Sequence, residues 1–290
     1  MSTPPDLLKR LERLLERAEH WLPPPPGDID WKAPAFRWRS RSGVLAHGWL
    51  EPVYHPHRIR LGDLQGVDGQ KQRIEQNTRQ FVAGHPANNV LLTGARGTGK
   101  SSLVKAVLER FSAQGLRLIE VDKADLVHLP DIVALIVDRP EKFIVFCDDL
   151  SFEAGEPGYK ALKSVLDGSI SGMADNVLVY ATSNRRHLMP EMMAENLEAQ
   201  QDERGELRPG DTTEEKVSLS ERFGLWLSFY TMDQDTYLAI CNHWLGEYGV
   251  APEQIHAVRG EALRWALARG SRSGRVAWQF ARDLAGRASQ

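Results

Sequence analysis

Cysteine is scarce in this chain of 290 residues, which contains only Cys147 and Cys241. Two isolated cysteines provide neither a disulfide framework nor the paired spacing of a zinc site. The nine histidines form no metal-ligating pattern either, since His55 and His57 flank a proline and are more typical of a solvated loop. A chain with few cysteines and no disulfide pattern fits a reducing compartment, so we expect a cytoplasmic protein.

Long hydrophobic runs are also missing. No apolar segment approaches the roughly 18 residues that a membrane span requires, and residues 1–6 lack the basic and apolar regions of a signal peptide. The net charge is only −3, with 42% hydrophobic and 26% charged residues. This balance argues against a globally basic nucleic-acid binder, although a local basic patch stays open. We therefore expect no membrane partner, and nucleic acid as a partner has only weak support.

The most informative segment that is present is residues 94–101, which fit G-x-x-x-x-G-K-[ST] at every fixed position. Its glycines allow backbone N–H groups to surround a phosphate, which side chains would obstruct. Lys100 would reach the β/γ-phosphates of ATP and the Ser101 hydroxyl would bind Mg²⁺. A predicted strand (residues 89–93) precedes the loop and a predicted helix (102–111) follows it. The predicted nucleotide-binding residues are Gly94, Ala95, Arg96, Gly97, Thr98, Gly99, Lys100, Ser101 and Ser102.

The second motif is the apolar segment 142–147 together with the two acidic residues that follow it, Asp148 and Asp149. A strand of a parallel sheet is apolar on both faces, and ligands bind beyond its carboxyl end. The pattern is typical of a Walker B element, in which Asp148 would hold Mg²⁺ opposite Ser101. The alternative is a strand that merely stops at a solvated turn.

The distribution of strands and helices predicts an α/β fold. Predicted strands at residues 116–121, 142–147 and 176–181 alternate with helical segments, which indicates a doubly wound parallel sheet of the P-loop NTPase type. Three helix-like blocks follow Tyr230, at residues 234–247, 252–268 and 274–284. We therefore predict an N-terminal region over residues 1–60, an ATPase core over 61–230 and a helical lid over 231–290.

Two polar or aromatic stretches leave alternatives open. An amphipathic helix (6–22) and a proline-rich linker (23–27) precede a stretch rich in tryptophan and arginine (31–53). That stretch would either pack on the main domain or bind single-stranded nucleic acid. Residues 191–216 carry nine acidic residues against three basic ones. They predict a solvated loop, with an acidic partner-binding element as the alternative.

The order of the phosphate loop, the acidic pair, Asn184, Arg222 and Arg275 resembles the AAA+ ATPases. Over about residues 61–284 the chain resembles, more narrowly, a bacterial family of predicted AAA+ ATPases of unknown function. The segments that carry this resemblance are residues 86–92, 146–153, 180–188 and 218–227. The resemblance implies Mg²⁺ and ATP as ligands and a helical lid beside the nucleotide.

The same resemblance assigns roles to single residues. Asn184 corresponds to sensor 1, which positions the attacking water, although an asparagine after a strand is often a turn residue. Arg222 corresponds to the arginine finger, which acts on the nucleotide of a neighbouring subunit and so implies a homo-oligomer. The alternative for Arg222 is an ordinary surface ion pair. Arg275 corresponds to sensor 2 of the lid, with Arg272 as the alternative, and residues 64–70 correspond to the stretch that closes over the adenine.

The chain departs from the common AAA+ pattern at two places. Asp149 occupies the position where many members have a glutamate that polarises water, and it is one methylene shorter. Asp149 or Glu153 would take that role, and we predict slow or partner-gated hydrolysis. Residues 122–130 contain no aromatic residue, which disfavours a protein-threading unfoldase. The predicted function is ATP hydrolysis coupled to remodelling or loading of a macromolecule. The alternative is a nucleotide-gated adaptor that binds an unknown protein through the N-terminal helix.

Overall fold

The computed structural model describes residues 29–41, 47–152, 156–168, 174–184, 200–201, 207–208 and 219–288. The predicted N-terminal helix, the proline linker, Glu153 and most of the acidic stretch 191–216 lie outside the described residues. The strands are β1 (Ala35–Arg41), β2 (His47–Val53), β3 (Val90–Gly94), β4 (Leu116–Val121), β5 (Lys142–Cys147), β6 (Val177–Ser183), β7 (Gln200–Gln201), β8 (Leu207–Arg208) and β9 (Leu225–Phe229). The α-helices are α1 (Asp68–Val82), α2 (Lys100–Phe111), α3 (Leu129–Ile136), α4 (Pro157–Asp167), α5 (Gln234–Glu247), α6 (Pro252–Ala257), α7 (Arg259–Ala268) and α8 (Gly274–Ala288).

Seven strands form one sheet in the order β2-β1-β4-β5-β6-β3-β9. Every neighbouring pair is parallel except β1 and β2. All seven residues of β6 are buried, as expected for a central strand covered by helices on both faces. The predicted α/β class with a parallel sheet is therefore confirmed.

Side chains alternate along the strands between two hydrophobic cores, one on each face of the sheet. In β5, Phe143, Val145 and Cys147 contribute to one core, whereas Ile144 and Phe146 contribute to the other. Burial of an aliphatic or aromatic side chain contributes about 1.5–3 kcal/mol. The two cores therefore hold the carboxyl ends of β3, β5 and β6 side by side at the same edge of the sheet.

The stretch rich in tryptophan and arginine forms the antiparallel hairpin β1–β2, which extends the sheet beyond β4. Phe36 and Trp38 of β1 are buried, and Arg37 makes an ion pair with Glu120 of β4 at 2.9 Å. The expectation that this stretch packs on the main domain is thus met for β1. The boundary at residue 60 stays a prediction.

The four helices α5 to α8 form a third hydrophobic core, with Tyr237 and Phe280 fully buried in it. They lie in the region predicted to form the lid and are called the lid below, and the domain boundary at residue 230 stays a prediction. The block predicted over residues 252–268 is two helices. Val258 separates α6 from α7, with a backbone ψ of 2° that departs from helical geometry. Among the described residues, no helix is both long enough and apolar enough to cross a membrane.

Candidate functional site

The phosphate-binding loop joins β3 to α2 and requires glycine at three positions. Gly94, Gly97 and Gly99 have backbone φ angles of 128°, 74° and 101°. A Cβ on Gly94 would lie 1.9 Å from the Phe229 carbonyl oxygen, and one on Gly97 would lie 2.8 Å from the Ser273 side chain. The loop therefore packs against β9 and the lid, and it leads into the N-terminus of α2. Backbone N–H groups in such a loop bind anions.

Lys100 is the cation of this loop and is only 6% exposed. Its Nζ donates hydrogen bonds to the carbonyl oxygens of Gly94 (2.7 Å) and Ala95 (2.8 Å) and to Oδ1 of Asn184 (3.0 Å). Burial lowers the pKa of Lys100, and the negative charges of Asp149 and Asp148 oppose this effect. The ammonium group thus lies where the loop, β6 and the acidic pair meet.

The two predicted metal ligands contact each other. The Ser101 hydroxyl donates to Oδ1 of Asp148 at 2.7 Å. The Thr182 hydroxyl, from β6, donates to the same oxygen at 2.5 Å. A hydroxyl and a carboxylate are hard oxygen ligands that suit Mg²⁺, which usually takes one or two carboxylates together with substrate phosphates and water. In the described part of the chain there is no cluster of three His, Cys, Asp or Glu residues that could form a metal cage. The residues present therefore fit a nucleotide-dependent Mg²⁺ site.

Asp149 is held from three sides. Its backbone is left-handed, with φ of 53°, and its N–H donates to the Thr182 hydroxyl at 2.9 Å. The Asn184 amide donates to Oδ1 of the Asp149 carboxylate, and Nη2 of Arg96 lies 3.9 Å from Oδ2. Asn184 consequently contacts both Lys100 and Asp149.

A cavity of about 590 Å³ contains these groups and lies between the sheet edge and the lid. The lid is joined to the loop by a hydrogen bond from the Gly274 N–H to the Gly97 carbonyl oxygen at 2.9 Å. Arg275, at the start of α8, lines this cavity. Arg272 lines a neighbouring groove between the loop and α7. Of the two predicted sensor arginines, Arg275 therefore lines this cavity and Arg272 does not.

The lining of the cavity also includes residues from the core and the lid, most of them apolar. Leu64, Gln65 and Val67 belong to the segment predicted to close over the adenine, and they line the cavity. The lid contributes Ile240, Trp244 and Trp278. Sequence reasoning missed these three lid residues, because apolar residues on a helix look the same whether they face a core or a ligand.

Arg222, a predicted catalytic residue, does not line the cavity. Its Nε donates to the Asp167 carboxylate, which lies at the end of α4. Its side chain is 23% exposed. Within one chain, therefore, Arg222 is not brought together with Lys100 and Asp149.

Thr182 is a further residue of the site that sequence reasoning missed. It is 1% exposed and its hydroxyl lies between the two acidic residues, since it donates to Asp148 and accepts from the Asp149 N–H. The signal available in the sequence was the position of Thr182 near the end of β6, two residues before Asn184.

Solved structures with a similar fold include AAA+ ATPases. One variant of Thermotoga maritima RuvB gives a TM-score of 0.53 at 16% identity, and the alignment covers 77% of this chain and 63% of that chain. A second variant of the same protein gives 0.54 at 16%, with 80% and 67% coverage. The Aeropyrum pernix ORC1 protein in complex with DNA gives 0.51 at 19%, with 82% and 63% coverage. At these identities the likeness establishes the AAA+ fold.

The alignments with the first of these RuvB variants and with ORC1 span less than two thirds of those longer chains. No curated protein gives a significant sequence match. Residues 31–288 match the family described as protein of unknown function DUF815, and the chain therefore belongs to that family.

Proposed function

We propose that this protein binds Mg·ATP between its core and its lid and hydrolyses it to ADP and phosphate. The observation that carries the proposal is the convergence of Lys100, the Ser101–Asp148 pair, the Asp149–Asn184 pair and Arg275 on one cavity of about 590 Å³. These groups come from the N-terminus of α2, from the residues directly after β5 and β6, and from the start of α8.

Each group has a role that its position supports. The loop N–H groups and Lys100 bind the phosphates, and Ser101 and Asp148 hold the metal. When bound, Mg²⁺ supplies Lewis-acid stabilisation of the charge on the phosphate oxygens. A carboxylate oxygen of Asp149 accepts a proton from the attacking water, while Asn184 orients that carboxylate. Arg275 adds positive charge from the lid.

The apolar residues that line the cavity fit the nucleobase. Trp244 and Trp278 lie on two different lid helices and line the cavity together with Leu64. An aromatic base packed against such residues would join the lid to the core. Base binding would therefore add a second link between core and lid, beside the Gly274–Gly97 hydrogen bond at the loop.

Hydrolysis is the chemical step of the proposal, and we infer that its output is the remodelling or loading of a macromolecular partner. The partner is unidentified, and the predicted contact through the N-terminal helix lies in residues that the structure does not describe. A homo-oligomer follows from the proposed action of Arg222 on a neighbouring subunit.

The second candidate is a nucleotide-gated adaptor whose output is binding. The contacts of Asp149 favour this candidate. Asp149 has a shorter side chain than glutamate, Asn184 donates a hydrogen bond to one of its carboxylate oxygens, and Arg96 lies near the other. An enzyme whose catalytic base is held in this way would hydrolyse ATP slowly.

Phosphate release and nucleotide binding measured on the same samples test the proposal. The intact protein should release phosphate from Mg·ATP, and Lys100→Ala should lower that rate by about 100-fold or more, because a phosphate-binding cation is lost. Lys160→Ala removes an exposed lysine of α4 outside the cavity and should leave the rate unchanged. ATP binding without any phosphate release would instead support the adaptor.

A further inference from the structure

Arg96 occupies the third position of the phosphate-binding loop, where the motif leaves the residue type open. Its side chain is 80% exposed, and its Nη2 lies 3.9 Å from Oδ2 of Asp149. This is the one ion pair described for Arg96 among the residues that the structure covers. An exposed pair at this distance is weak, so the guanidinium is able to change partner.

The two carboxylate oxygens of Asp149 lie next to different side chains. Asn184 donates to Oδ1, and Arg96 faces Oδ2. Asn184 also accepts from Lys100, which is the phosphate-binding cation of the loop. Arg96, Asp149, Asn184 and Lys100 therefore share the end of the cavity where the terminal phosphate of a bound triphosphate would lie.

We propose, on the basis of the proposed function, that Arg96 makes this loop selective for a nucleoside triphosphate over a diphosphate. Arg96 pairs with Asp149 in the nucleotide-free protein and moves to the terminal phosphate when ATP binds. A phosphate offers more charge and more acceptor oxygens than a carboxylate, and the planar guanidinium binds it in a bidentate manner. ADP lacks the terminal phosphate, so Arg96 stays with Asp149.

This exchange couples the state of the nucleotide to the availability of Asp149. With ADP bound, one oxygen of the carboxylate stays next to Arg96. With ATP bound, that oxygen is free to face water. The selectivity and the release of Asp149 are thus two consequences of a single change of partner.

Equilibrium binding of ADP and of the β,γ-imido analogue of ATP, both with Mg²⁺, tests the selectivity. We expect Arg96→Ala to weaken binding of the imido analogue by about tenfold and binding of ADP by less than about twofold, because only the former loses a charge-assisted hydrogen bond. Arg96→Lys keeps the charge without the planar fork and should recover part of the loss.

Arg110→Ala is the matched control. Arg110 is also exposed, and its Nε lies 3.9 Å from Oε1 of Glu75, away from the cavity lining. Both nucleotides should bind this variant as they bind the intact protein. Thermal unfolding of each variant confirms that it is folded before binding is measured.

A double-mutant cycle tests the exchange itself. Asp149→Asn removes the carboxylate that competes for Arg96, so it should tighten binding of the imido analogue more in the intact background than in the Arg96→Ala background. Equal tightening in both backgrounds would refute the exchange. An equal loss of ADP and imido-analogue affinity in Arg96→Ala would refute the selectivity. Failure of the intact protein to bind either nucleotide would overturn the proposed function itself.

Discussion

At the residue scale, the Thr182 hydroxyl bridges the two adjacent acidic residues of the site. It donates to Asp148 and accepts from the Asp149 N–H while it is almost fully buried. Loss of either hydrogen bond would leave the buried hydroxyl without a partner, which is energetically costly. Both hydrogen bonds therefore tend to persist, and they hold Asp148 and Asp149 in place.

Thr182→Val keeps the shape of the side chain and removes both hydrogen bonds. We expect the free energy of unfolding to fall by about 1–3 kcal/mol, since the partly buried Asp149 N–H is left without its acceptor. Phosphate release should fall by about tenfold or more, because the carboxylates are no longer held in position.

The control for this substitution is Thr93→Val. Thr93 is also buried, and its hydroxyl accepts a hydrogen bond from Trp226 Nε1 at 2.7 Å, but it does not line the cavity. Chemical denaturation should show a comparable loss of stability, whereas phosphate release should persist. Equal phosphate release by the two valine variants would show that Thr182 does not position the acidic pair.

At the element scale, the hairpin β1–β2 extends the sheet and depends on one close contact. Trp38 packs directly over Gly48, where a Cβ would lie 1.8 Å from the indole ring. Since Trp38 is 2% exposed, the ring has little room to move away.

Gly48→Ala should therefore displace the indole ring and destabilise the protein by about 1–3 kcal/mol, as is usual for overpacking. The measurement is the midpoint of thermal unfolding. Gly62→Ala is the control, because a Cβ there meets no atom within 4 Å. A Gly48→Ala variant as stable as Gly62→Ala would mean that the hairpin is not anchored by this contact.

The other edge of the sheet is formed by β9, which pairs with β3 alone among the described strands. A side chain of α1 reaches this edge, where Gln70 Nε2 donates to the Ser228 carbonyl oxygen at 2.8 Å. That carbonyl group is thereby occupied, which limits pairing of the edge with another chain.

At the scale of the whole molecule, the position of Arg222 determines whether the site is complete in one chain. The structure places Arg222 against Asp167, and Arg222 does not line the cavity that holds Lys100 and Asp149. If Arg222 acts as an arginine finger, it must act on the nucleotide of another subunit.

Mixing two inactive variants tests this arrangement. Lys100→Ala and Arg222→Ala should each hydrolyse ATP poorly alone, and a mixture should regain about a quarter to a half of the intact rate, because mixed interfaces join an intact loop to an intact finger. Phosphate release is the readout, with size-exclusion chromatography as the check that subunits exchange. A mixture of exchanging subunits without any recovery would exclude action between subunits.

Much of the core was predictable from local pattern. The strands predicted at residues 116–121 and 142–147 have the same bounds as β4 and β5, because a buried parallel strand is a short apolar run between turn signals. The loop glycines were predictable from the G-x-x-x-x-G-K-[ST] motif, and the helix after them from the spacing of its apolar residues. The division of residues 252–268 into two helices was not, since no proline or strong breaker occurs at Val258.

The sequence by itself determined the α/β fold and the types of side chain at the candidate site, since the loop motif, the acidic pair and the alternation of strands and helices are all local patterns. The tertiary structure alone decided which groups meet. It placed Thr182 between two acidic residues, Arg275 rather than Arg272 in the cavity, and Arg96 beside Asp149. Such contacts join residues far apart in the chain, and they follow from the register of neighbouring strands and the packing of the lid.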